Sequence, residues 1–297
     1  MYSAFCQKHR KWAAANKVAM HIDRKPAREM QVDYVGDTMA VLDLDAGELL
    51  KVYVFAACLP YSGELYAEGF FDMKEESWVE AYVHAFAFYG GSVPIIVPDN
   101  LRQGVIRNTV EELVINDQYR RMAEYYGCAI VPARPRKLRD KGAIEMGVRV
   151  IEQRAMAPLR DRLFTSLAQL NAALMDEVRE INARPLQKRE GSRDEVFIRQ
   201  EKPLLVPLPG KPYEMVTRKT ATVNSNYHVA FGGSWYSVPF SYVKREVEVC
   251  ATKTAVWVVC GGERIAMHKR LHGTRGSYST NSEHFSQKKT NKCMLLW

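Results

Sequence analysis

The sequence predicts an α/β fold, a mixed sheet flanked by helices, followed by a small all-β barrel domain. Three observations carry this. Three β-type runs separated only by turn clusters open the central part of the chain, so they pair as an antiparallel meander. Two short apolar runs then alternate with helical stretches, which is how buried strands join a sheet by crossover. Beyond a proline-punctuated stretch the composition changes to many short strands broken by Gly-Gly and Asn-Ser turns, the pattern of a small barrel.

Residues 1–29 read as a polar, basic helical lead-in with a short connector. The runs Met30 to Leu42, Leu49 to Leu59 and Glu64 to Phe71 follow, with DLDAGE and PYSG as the turns between them. KEESWVEAYVHAFAFYGG reads as a helix opened by acids and closed by Gly90–Gly91, with Trp78, Tyr82, Ala85 and Tyr89 at helical spacing. A short strand, Val93 to Val97, ends in Pro98–Asp99–Asn100. A helix at Asp117–Tyr126 leads to a strand at Cys128 to Val131. After the basic segment PARPRKLRDKG come helices from Ala143 to about Arg154 and near Leu163–Asn182. The order β-β-β-α-β-α-β-α over residues 30–184 is the ribonuclease-H-like topology. Residues 185–212, with Pro185, Pro203, Pro207, Pro209 and Pro212, read as an extended connector. Residues 213–272 read as the barrel, and 273–297 as a tail without a stable fold.

A formal net charge of +8 and a pI near 9.1 suit an acidic polymer as partner, and suit a basic housekeeping enzyme equally well. Apolar residues at 47% and a mean hydropathy of −0.29 are those of a soluble globular protein. Cys6, Cys58, Cys128, Cys250, Cys260 and Cys293 form no C-x-x-C pair, and several sit in apolar runs, so free thiols in a reducing compartment are expected. The opening MYSAFCQKHRKW lacks the apolar core of a signal peptide, and no apolar run is long enough to span a bilayer. A cytoplasmic protein is the expectation. There is no P-loop, G-x-G-x-x-G or Ser-His-Asp pattern, and the seven histidines are spread thinly; His268 and His272 alone make no metal site.

The acids are more informative. Two-metal phosphoryl chemistry needs carboxylates converging from different elements, each ion keeping open positions for water and phosphate oxygens. Asp33 stands mid-strand between apolar neighbours, where a charge must be paired, metal-bound or protonated. Asp99 follows the carboxyl end of the VPIIV run, where open α/β sheets place their sites. On the helix after the basic segment, Ile144, Val148, Ile151 and Ala155 form an apolar stripe bordered by Glu145, Arg149 and Glu152. Glu145, near the amino end, is the third candidate. Glu152 lies about 10 Å further along at ~1.5 Å per residue and is expected to pair with Arg149. Asp37 shares the strand parity of Asp33 but lies ~13 Å away at ~3.3 Å per residue. Taken singly, Asp99 is also ordinary turn chemistry and Glu145 an ordinary surface residue; the three in this order are the signal.

Arg134, Arg136, Lys137, Arg139 and Lys141 crowd the segment before Glu145. Such a run is usually a solvated loop, but beside the acids it reads as a phosphate-contacting DNA segment. Arg102 and Arg107 are weaker candidates. Tyr227, Trp235 and Tyr236 could stack on bases, and core packing is the preferred reading.

MQVDYVGDTM, VPDNLRQGV, ARPRKLRDKGAIE followed by VIEQR, and EKPLLVPLP, in this order, resemble an IstA-like transposase of the bacterial insertion-sequence 21 family. That family lies in the DDE integrase/transposase superfamily, and the resemblance runs from about Tyr2 to about His284. It carries the catalytic, metal-binding acids onto Asp33, Asp99 and Glu145. It implies Mg²⁺-dependent hydrolysis at transposon 3′ ends, with Mn²⁺ substituting, followed by strand transfer into target DNA. It also implies double-stranded DNA as partner, self-association on paired ends, an IstB-type AAA+ ATPase helper, and a place in the bacterial cytoplasm at the nucleoid. The family's helix-turn-helix region would precede residue 1, and SQKKTNKCMLLW does not continue the family's pattern. A truncated, catalytically incompetent DNA-binding remnant and a ribonuclease-H-like nuclease are therefore the competing expectations.

Overall fold

The computed structural model describes residues 5–8, 24–98, 105–108, 113–132, 142–187, 190–271 and 275–285. The chain divides into two compact units. The first comprises Met1–Asp72, Ala85–Leu101 and Gly127–Pro207, and the second Met73–His84, Arg102–Tyr126 and Leu208–Trp297.

In the first unit, strands β1 (Glu29–Leu42), β2 (Leu49–Leu59) and β3 (Glu64–Phe70) form the expected antiparallel meander. Strands β4 (Ile95–Pro98) and β7 (Ala129–Ile130) add in parallel beyond β1, giving the order β3-β2-β1-β4-β7. Odd-numbered residues of β1 and their even-numbered partners in β2 share one face. There Val35, Met39 and Val41 pack with Val52, Val54 and Ala56 in one core. The opposite face carries Ala57 and Tyr66, and Tyr89, from the end of helix α1 (Glu75–Tyr89), donates its hydroxyl proton to Ala57 O at 3.2 Å. Helices on both faces explain why VYVFAACL of β2 is almost continuously apolar.

Helix α4 (Leu167–Ala183) is capped by Ser166, whose Oγ accepts from Gln169 N–H at 3.2 Å. It buries Leu170, Leu174, Val178 and Ile181 on the Val35 face, each worth roughly 1.5–3 kcal/mol. Two asparagines of α4, three turns apart, seal β3. Asn171 exchanges hydrogen bonds with the backbone of Gly69 (2.7 and 3.1 Å), and Asn182 with that of Leu65 (3.1 and 2.8 Å). Among the described residues β3 is an edge strand, and these amides act as substitute strand partners along it.

The connector is not merely extended. Ser192 and Glu195 form a reciprocal capping box that starts helix α5 (Arg193–Val196), followed by a π-turn at Phe197–Glu201. Phe197, Glu201 and Leu205 are buried, and Ser92 bridges to Val206. Prolines punctuate this stretch, but its apolar side chains find a core.

In the second unit, helix α2 (Asp117–Tyr125) joins the β-rich part, not the meander sheet. Tyr119 is buried against Trp78 and Tyr82, its hydroxyl donating to Tyr82 Oη at 2.7 Å, and Gln118 Nε2 donates to Val216 O at 2.9 Å. The preceding hairpin, β5 (Val105–Asn108) with β6 (Leu113–Ile115), was not anticipated. The C-terminal strands are β8 (Thr217–Thr222), β9 (His228–Phe231), β10 (Ser234–Ser237), β11 (Glu246–Ala251), β12 (Ala255–Cys260), β13 (Glu263–Lys269) and β14 (Tyr278–Ser279). Among the described residues they form two ladders, β14-β10-β9 and β13-β12-β11-β8. Val229 and Tyr236 of one ladder pack with Val249, Val256 and Val258 of the other in a single core. One barrel was expected; two sheets sharing a core are observed.

The stretch after residue 273, expected to lack structure, is held as far as Phe285. β14 pairs in parallel with β10, and the buried His284 accepts or donates at Ser237 Oγ, 2.8 Å away. Tyr236 is core as expected. Tyr227 and Trp235 are not: both are partly exposed, Trp235 stacked on Tyr278 at 15°. Among the described residues no helix is long and apolar enough to cross a membrane, and Cys6, Cys58, Cys128, Cys250 and Cys260 are in no disulfide.

Candidate active site

Asp33 stands on β1 opposite Ala56 of β2, half-buried, with its Oδ1 accepting the Tyr34 N–H at 2.8 Å. Strand alternation puts Gln31, Asp33 and Val35 on one face. Helix α3 (Gly142–Ile151) packs on that face through Ile144, Gly147 and Ile151. A Cβ on Gly147 would stand 2.8 Å from Leu65 Cδ2, so the absent side chain lets α3 lie close to the sheet. Glu145, in the first turn of α3, faces solvent.

Two contacts place α3 along β1. At one end Ile144 N–H donates to Gln31 Oε1 at 3.2 Å. At the other, Glu152 Oε1 lies 3.7 Å from where a Cβ of Gly36 would be. Asp33 lies between these points. Asp33 is therefore two strand residues, and Glu145 one helix residue, from the same hydrogen bond. Glu152 opens a π-turn, Glu152–Met156, and among the described residues no ion pair joins it to Arg149, contrary to expectation.

Pro98, the last residue of β4, pairs with Val32, next to Asp33. Asp99 follows it in sequence and lies outside the described residues, as do Arg102, Arg134, Arg136, Lys137, Arg139 and Lys141. Arg107 falls within β5. Asp37 points elsewhere: it pairs with Arg160 at 3.1 Å, both exposed, beside an open cleft lined by Met39, Lys51 and Phe164. Among the described residues no group of three His, Cys, Asp or Glu is placed to hold a metal ion, and one of the three candidate ligands is not among them. Asp33 and Glu145 supply only carboxylate oxygens, the donors that hard divalent cations such as Mg²⁺ prefer.

Two clusters escaped the sequence reading. Glu64, only 3% exposed, accepts from Asn182 Nδ2 at 2.9 Å, and burial, reinforced by the charge of Asp194, pushes its carboxyl up to about 8. Beside it Glu201 accepts the backbone N–H groups of Ala27 and Ser62, both at 3.1 Å. In the second unit His228, His268 and His284 gather around Ser237, Ser279 and Thr280. Burial lowers the affinity of His268 and His284 for a proton. Gln31 was also passed over, although its place two residues before Asp33 put it on the same face.

The mixed sheet with α3 across its face, joined to a β-rich unit, is a mixed α/β protein with a carboxylate-bearing sheet face. Residues 208–281 match the model of the Mu transposase C-terminal domain. Over 283 residues the chain is 36% identical to the putative transposase for insertion sequence IS408 of Burkholderia multivorans, covering 95% of this chain and 54% of that one. It is 23% identical over 270 residues to the transposase for insertion sequence element IS21 of Pseudomonas aeruginosa, covering 91% of this chain and 67% of that one. The chain spans about half the length of the curated relatives it matches, at 54%, 50% and 55% for three of them. Among solved structures, the catalytic core domain of BIV integrase overlaps 58% of this chain and 94% of its own, at 15% identity and a TM-score of 0.41.

Proposed function

We propose that this chain is the catalytic region of an insertion-sequence transposase of IstA type, a DDE polynucleotidyl transferase with a ribonuclease-H-like core. In this reading it hydrolyses phosphodiesters at transposon 3′ ends and joins the freed ends to target DNA. The observation that carries it is the packing of α3 on the Asp33 face of β1, with Glu145 one residue from the Gln31–Ile144 hydrogen bond. Similarity to insertion-sequence transposases along 95% of the chain supports it.

Asp33, Asp99 and Glu145 would hold Mg²⁺, with Mn²⁺ able to replace it. A divalent ion bound there supplies Lewis-acid charge for the phosphoryl oxygens and an activated water. The protein's part is to hold acids from a strand, a strand end and a helix at one face while leaving that face open to the DNA backbone. Arg134, Arg136, Lys137, Arg139 and Lys141 would contact phosphates, contributing sequence-independent, salt-sensitive affinity. Self-association on paired ends, an IstB-type helper ATPase and work at the bacterial nucleoid complete the reading.

The test is Mg²⁺- or Mn²⁺-dependent nicking and joining of duplexes that carry transposon-end sequence. Wild-type protein is expected to nick them and Asp33→Asn to be inactive while binding the same DNA. Undiminished nicking by Asp33→Asn would sink the assignment. DNA binding without turnover in the wild type would identify a remnant, and preference for an RNA–DNA hybrid a nuclease.

A further inference from the structure

We propose that Gln31 is a positioning residue, holding the first turn of α3 so that Glu145 is aligned with Asp33. The inference rests on the reading of Asp33 and Glu145 as metal ligands. Gln31 is 2% exposed near the start of β1, a place where an uncharged polar side chain must be hydrogen-bonded. Its Nε2 donates to Glu29 Oε1 at 3.0 Å, which orients the carboxamide, and its Oε1 accepts the N–H of Ile144 at 3.2 Å. Ile144 is the third residue of α3, so this N–H is one of those a helix leaves without an internal partner. A side chain from β1 thus serves one of the open N–H groups at the start of the helix. Glu145 is the next residue.

The rest of α3 is anchored independently: Ile151 is fully buried, and Gly147 lies against Leu65. Removing the Gln31 acceptor therefore loosens the first turn without detaching the helix. The side chain opposite a metal ligand then loses its fixed place, and outer partners of ligands commonly matter by about 10–100-fold in metal affinity or activity.

The experiment compares wild type, Gln31→Met and Asp33→Asn as full chains. It measures Mn²⁺ binding by isothermal titration without DNA, kcat and KM for Mn²⁺-dependent nicking of supercoiled plasmid, and hydrogen exchange of the 143–147 amides. Gln31→Met is expected to weaken Mn²⁺ binding about 10-fold or more and to lower kcat, with KM for plasmid unchanged and faster exchange at 143–147. Mn²⁺ affinity and kcat within twofold of wild type, even with a lowered Tm, would overturn the positioning role. Should Gln31→Met fail to fold, Gln31→Asn, which withdraws the acceptor by one methylene, is held to the same two outcomes. If Asp33→Asn keeps Mn²⁺ binding and nicking, the site assignment itself fails. If it loses both while the Gln31 variants do not, only the role of Gln31 fails.

Discussion

Asp33 on β1 and Glu64 on β3 are carboxylates of the same sheet with opposite surroundings. Glu64 is buried, hydrogen-bonded to Asn182, and pushed up to about 8 by desolvation. Asp33 is half-buried on the face of β1 that α3 packs on, and Glu145 of α3 is exposed. Perturbed acids cluster at catalytic sites often enough to be used as pointers. Here that pointer leads to Glu64, which ties the start of β3 to α4. Under the proposed function the contrast has a reason: an acid that is to hold a cation must stay reachable until the cation arrives. An acid meant for the fold can be sealed in and neutralised.

The sharpest way to break this contrast is Asp33→Asn. Nicking activity should fall about a thousand-fold or more, since a bound metal contributes several kcal/mol to the transition state, while melting temperature holds or rises. Glu64→Gln should do the reverse, leaving nicking intact and changing stability with pH. The folded-state value of Glu64 lies above its ordinary 4.5, so its stabilising contribution is complete below that and is lost as pH rises through about 8. Wild type should lose ~1.4 kcal/mol per pH unit within that window through this group. The amide variant should be flat there and the more stable at pH 8, as read by urea unfolding at pH 5 and pH 8.

Gly147→Val probes the link between the regions, because the added carbons meet Leu65 and lift α3 from the sheet. A loss of about 1–3 kcal/mol is expected, with a drop in nicking that Mn²⁺ excess only partly restores. The smallest effect belongs to Ser192→Ala, which removes the capping box of α5 beside Glu64. It should cost ~1 kcal/mol in thermal unfolding and leave activity unchanged. Activity loss in Ser192→Ala, or none in Gly147→Val, would erase the boundary drawn between the two regions.

The meander was readable because its turns, DLDAGE and PYSG, are local chemistry that separates three β-type runs. Helix α4 was readable as a helix near Leu163–Asn182, but the hydrogen bonds of Asn171 and Asn182 to β3 exist only once the strand lies beside it. The capping box Ser192–Glu195 was present in the letters and was outweighed by five nearby prolines. Tyr227 and Trp235 were read as core because aromatic content alone does not say which face of a strand is covered.

Element types, their order and the position of Asp33 within a strand follow from local propensity and periodicity, which involve neighbours a few residues apart. Three things depended on contacts between residues more than eighty positions apart. These are the burial of Glu64 by Asn182, the capping of Ile144 by Gln31, and the close approach of α3 at Gly147. Such contacts exist only once desolvation and packing have brought distant segments together, so no local pattern records them.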